Sequence, residues 1–95
     1  MLVGICEAEV RLPGAMTLKD KRRIIKSILD RVRGRFEVAA AEVDHQENHH
    51  LASLGFACVS NEKAHADRVL AAVVRFLDAN GEIEVLGYHT EIIPI

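Results

Sequence analysis

Leu51-Ala52-Ser53-Leu54-Gly55-Phe56-Ala57-Cys58-Val59-Ser60 is apolar on both of its alternating faces. Leu54, Phe56 and Cys58 fall on one side, and Leu51, Ala57 and Val59 on the other. A period of two is the spacing of a β-strand, and apolarity on both sides predicts a central strand covered on both faces. Downstream, Ser60 or Asn61 is placed to cap a helix. Its apolar stripe is Ala66, Val69, Leu70, Val73, Val74, Phe76 and Leu77, and Asn80-Gly81 stops it. Glu82 to Ile95 then reads as a last strand, which Pro94 limits.

Upstream, residues 2–12 alternate. Leu2, Cys6, Ala8, Val10 and Leu12 share one face with Gly4, while Val3 and Ile5 share the other with Glu7, Glu9 and Arg11. This is a half-buried strand, ended by Pro13-Gly14. Thr17-Leu18-Lys19-Asp20 is close to a capping box. Apolar residues at 18, 24, 25, 28, 29 and 32 predict a helix from about Leu18 to Arg33, with Gly34 at its end. Phe36 to Asp44 forms a strand, and the polar run His45-Gln46-Glu47-Asn48-His49-His50 connects it to the central one.

The order strand, helix, strand, strand, helix, strand, with both crossovers of the same hand, places the two helices on one face of a four-stranded antiparallel sheet. The expected fold is therefore an α+β two-layer sandwich with ferredoxin-like βαββαβ topology, formed by residues 1–95 as a single domain. The opposite sheet face stays uncovered, with Val3, Ile5 and one side of Leu51–Ser60 on it. Monomers seldom leave such a patch to solvent, so a homodimer is expected, joined sheet to sheet or edge to edge.

Composition bounds the rest. With 49% apolar and 27% charged residues the chain is globular, and no run approaches the ~18 apolar residues of a membrane helix. MLVGICEAEV meets acidic residues where a signal peptide is still apolar, which leads us to expect a cytoplasmic protein without membrane contact. In that compartment Cys6 and Cys58, each within an apolar run, read as reduced buried thiols. The net charge of −2 conceals a segregation. Lys19 to Arg35 holds eight of the twelve basic residues against Asp20 and Asp30, a local balance of +6, and the remainder carries −8.

Lys19, Arg22, Arg23 and Lys26 recur at spacings of three and four, as a stripe that neutralises successive phosphates would, and with Lys21 they are the candidate RNA contacts. An ordinary solvated helix face carries such residues too, but cancelling an overall charge does not require sorting it by element. The expectation is contact with ribosomal or other structured RNA, without sequence-specific DNA binding. The same charge suits a protein-interaction module that docks an acidic partner. A small-ligand or metal-binding domain is a further alternative. His45, His49 and His50 are weak metal candidates, because the run containing them reads as a loop, and no metal or cofactor is expected.

Leu54-Gly55-Phe56-Ala57-Cys58-Val59 partly matches the sheet signature of the RNA-recognition motif, but the basic residue and the other rings are missing. Sheet-face base stacking is thereby excluded. There is no Gly-rich phosphate loop, no Gly-x-Ser-x-Gly and no His-Glu-x-x-His, so the chain is not expected to be an enzyme. The loop Leu12-Pro13-Gly14-Ala15-Met16-Thr17 lacks the arginine-bearing anion cradle by which acylphosphatases resemble one another.

Several stretches together resemble one family. They are the Val3-Gly4-Ile5 strand, the helix opening Thr17-Leu18-Lys19-Asp20-Lys21-Arg22, the strand Phe36-Glu37-Val38-Ala39 running to Ala41-Glu42-Val43, and the Ala-rich second helix. Over essentially the whole chain this combination is similar to the YlxP-like family of small bacterial proteins, a domain-of-unknown-function family. The resemblance implies a ferredoxin-like fold and, through the family's frequent neighbourhood of translation-initiation and ribosome-maturation genes, a link to ribosomes. It carries over no catalytic residue. Where this chain has His49-His50 the family more often has an aromatic residue, so an interface that uses that ring would be altered here.

Overall fold

Thr17 begins the first helix as its sequence suggests. In the computed structural model, which describes residues 1–95, its Oγ1 accepts the Asp20 N–H at 3.1 Å. Asp20 reaches back in turn, but to the Met16 N–H at 3.1 Å, one residue beyond the usual partner. Six elements follow one another: β1 (Leu2–Arg11), α1 (Leu18–Arg35), β2 (Ala39–Asp44), β3 (Leu51–Ser60), α2 (Lys63–Asp78) and β4 (Glu84–Pro94). The strands form one antiparallel sheet in the order β2-β3-β1-β4, the ferredoxin-like α+β sandwich. No helix is long and apolar enough to cross a membrane.

Alternation along β1 decides which side of the sheet is the inside. Cys6, Ala8 and Val10 are buried, whereas Glu7, Glu9 and Arg11 are exposed. The buried set joins Leu54, Phe56 and Cys58 of β3, Ile24, Ile25, Ile28, Leu29 and Val32 of α1, and Ala66, Leu70, Val73, Val74 and Leu77 of α2 in a single core. Gly4 permits the closest approach of sheet and helix. A Cβ there would stand 3.0 Å from the Cys58 sulfur, 3.2 Å from Leu70 and 3.3 Å from Ala66. Cys6 and Cys58 are free thiols in this core. Burial, with the Glu7 charge adding to it, pushes the Cys6 thiol up to about 11, and burial raises Cys58 as well.

The structure departs from the sequence reading at several boundaries. α1 runs through Gly34 to Arg35, because no glycine adopts a positive φ. Phe36 ends it instead, in extended conformation, donating its N–H to Val32 O at 2.9 Å and setting its ring edge-on to Phe76 at 5.9 Å. Anchored there, Phe36 to Val38 do not pair, and β2 starts at Ala39 opposite Ala57. Glu62, not Ser60 or Asn61, precedes α2, while Ser60 Oγ accepts the Glu62 N–H at 3.0 Å. β3 is central as expected but covered on one side only. Beyond the helices Val59 remains 65% exposed.

Candidate functional site

Buried Ile24, Ile25, Ile28, Leu29 and Val32 turn α1 so that Lys19, Arg22, Arg23 and Lys26 stand in solvent. These four form a cationic crest along the first two turns. Lys19 and Arg22 make no ion pair. Arg23 lies 3.7 Å from Asp20, too far for a firm hydrogen bond. Lys26 donates to Asp30 at 2.7 Å, and Arg33 approaches the same carboxylate at 3.4 Å while donating to Ala40 O at 2.5 Å. The hydrogen bond from Lys26, aided by the charges of Lys26 and Arg33, holds the Asp30 carboxyl below its ordinary value. Such exposed pairs are weak and readily exchanged for another anion.

Lys21 is the correction within this set. Its side chain is 1% exposed, and Nζ donates to His45 O at 2.5 Å and Asn48 O at 2.6 Å. Glu42 Oε2 lies 2.7 Å away in an ionic contact that is not aligned as a hydrogen bond. A lysine enclosed by three oxygens cannot reach a phosphate. It ties the opening of α1 to the β2–β3 connection.

That connection is an ordered turn. Asn48 Oδ1 accepts the N–H groups of His50 and Leu51 at 2.8 and 3.2 Å, and Leu12 N donates to His50 O at 2.8 Å. His45 takes φ 63°, a region where histidine is over-represented among non-glycine residues, and its Nε2 lies 2.8 Å from Glu9 Oε1. His49 and His50 lean on each other at 4.1 Å. His45 is thus engaged apart from the stacked His49–His50 pair, and no group of three or more His, Cys, Asp or Glu side chains gathers in a way that could hold a metal ion.

Two features escaped the sequence reading. Arg31 and Arg35 lie over Phe76 at 6.0 and 5.6 Å, and Arg35 also lies 5.8 Å from the Phe36 ring. The basic charge of α1 therefore continues around a half-buried aromatic pair at its far end. Spacing alone gave no signal for this, since the rings come from the end of α1 and from α2. The other is a shallow trough of about 390 Å³ on the open sheet face, floored by Ala39, Ala41, Gly55 and Ala57. Phe56, the ring of the partial RNA-recognition signature, points to the opposite side and is 3% exposed.

Fold and surface together define a small ferredoxin-like α+β domain with a cationic helix and an uncovered sheet. Residues 3–90 match a family described as a protein of unknown function, DUF503. The uncharacterized protein YlxP of Bacillus subtilis (strain 168) is 35% identical over 90 residues, covering 95% of this chain and 98% of the relative. The chain belongs to this YlxP-like DUF503 family.

Proposed function

We propose that this protein is a non-catalytic binding domain that contacts structured RNA, ribosomal RNA foremost, through the exposed cations of α1. The observation that carries the reading is that Lys19, Arg22, Arg23 and Lys26 project from one helix face, where only Asp20 and Asp30 of the same helix pair with them. A helix rises 1.5 Å per residue, so the crest from Lys19 to Lys26 spans ~10 Å, enough to meet two adjacent backbone phosphates. Arg31 and Arg35 extend the positive field toward the other end of α1. Lys21 contributes by fixing the start of the helix, not by touching the ligand.

An acidic protein would meet the same crest, and capture from a bacterial lysate with and without ribonuclease separates the two. RNA contact predicts that ribosomal particles or structured RNA are retained and that digestion abolishes retention. Retention that survives digestion would assign the crest to a protein partner and overturn the RNA reading.

A further inference from the structure

The far end of α1 gathers arginines that the ion pairs leave over. Arg11, Lys21, Arg23, Lys26, Arg33 and Lys63 each stand within ion-pair distance of a carboxylate. Arg31, Arg35 and Arg75 do not, and they come to one place from two helices. Arg35 and Arg75 line a cleft of about 260 Å³ between the last turn of α1 and the second half of α2, with Phe36, Ala72, Phe76 and Ala79. Arg31 lies over the Phe76 ring at 6.0 Å and Arg35 at 5.6 Å.

Two of the three phenylalanines of the chain stand in this cleft, each half-buried. They meet edge to face at 72°, so the ring that presents its edge keeps its own faces clear of its partner. A guanidinium resting on a ring loses little freedom when it also meets an anion, and its plane is itself a stacking surface.

We infer that the cleft takes one unpaired nucleotide of the bound RNA, its base against the Phe36–Phe76 pair and its phosphate on Arg31, Arg35 and Arg75. This rests on the RNA reading of α1 and gives it a substrate class: RNA with a base out of the stack, not plain duplex. An anion alone needs no rings, and an apolar group needs no arginines. A nucleotide uses both. Size agrees, because the cleft is smaller than the ~300–1,000 Å³ of a site that encloses a whole small molecule, and it suits a base whose phosphate stays at the mouth. Position agrees as well. At 1.5 Å per residue Arg35 lies ~20 Å along α1 from Arg22. Arg31 and Arg35 turn toward α2, around the helix from the crest. A duplex on the crest keeps its bases stacked inside and offers the cleft nothing, whereas a bulged or looped nucleotide can turn in.

The test compares two RNAs, a blunt duplex and the same duplex with a single bulged adenosine, titrated with the full chain across a salt series. The parent chain is expected to bind the bulged RNA about 10-fold tighter, the value of one base stacked on an aromatic ring. Phe76→Leu fills much of the same space without a ring and brings the two affinities together. Arg35→Gln, at an exposed position that leaves the fold intact, lowers the salt slope on the bulged RNA by about 0.7–0.9, one phosphate. Arg22→Glu, Arg23→Glu weakens binding of both RNAs. Equal affinity of the parent chain for the two RNAs, with the crest variant weakening both, overturns the cleft and leaves the crest standing. A preference for the bulge that survives both Phe76→Leu and Arg35→Gln overturns the cleft too. Binding of neither RNA overturns crest and cleft together.

Discussion

Lys21 shows how one residue can have the composition of a surface and the geometry of a core. It lies three, four and seven residues before Ile24, Ile25 and Ile28, which is the spacing of the buried stripe of α1. That register was the available signal, and the surrounding run of basic residues concealed it. Removing the ammonium would strand two backbone carbonyls and the Glu42 carboxylate. Lys21→Met should therefore lower the urea-unfolding free energy by about 3 kcal/mol, and hydrogen exchange should show the 45–48 turn opening more readily. The Lys21→Met, Glu42→Gln double variant should lose less than the sum of the single losses, since each single change already breaks the same contact. A charge reversal at Lys21 tests folding and not binding.

Cys6 gives the residue scale a pH dependence. Burial, with the Glu7 charge adding to it, pushes its thiol up to about 11 in the folded chain from an ordinary value of 9.0. Below 9.0 both folded and unfolded chains hold the proton, and the contribution to stability is complete. Between the two values the unfolded chain ionises first, so stability falls as pH rises, and above about 11 the contribution is gone. The loss attributable to this thiol amounts to roughly 2–3 kcal/mol at most. Denaturant midpoints of the parent chain and of Cys6→Ala, compared across that window, should show the shallower alkaline decline in the variant.

At the scale of elements, local chemistry was legible wherever it acted within a few residues. The alternation of β1 identified the inner and outer faces, and Thr17-x-x-Asp20 located the start of α1. Thr17→Ala removes the acceptor for the Asp20 N–H and should cost about 1 kcal/mol, read as a lower melting temperature with unchanged helix content at low temperature. Boundaries set by distant partners were not legible. Gly34 looked like a stop, yet the Phe36–Phe76 contact, made across forty residues, decides where α1 ends and delays β2 to Ala39. For the candidate site, the sequence placed the basic run on a helix and offered all five cations as contacts, of which Lys21 proves to be buried. It missed the Arg31–Arg35–Phe76 cluster because that requires the helices to be packed.

For the whole molecule, the governing feature is the sorting of its surface. Cations crown the helical layer, apolar side chains occupy one corner of the open sheet, and carboxylates the other. The crest on α1 carries the functional reading, and salt is the direct probe of it. Each phosphate neutralised on single-stranded or looped RNA contributes about −0.7 to the slope of log affinity against log salt, and on a duplex about −0.9. The decisive measurement is the affinity of the parent chain and of Arg22→Glu, Arg23→Glu for ribosomal RNA across a salt series. Measurable binding at low salt is expected, with a slope of about −2 or steeper and near-complete loss in the variant, whose fold is preserved because both side chains are exposed. Absence of binding at low salt, or an affinity unaffected by the two reversals, would contradict it.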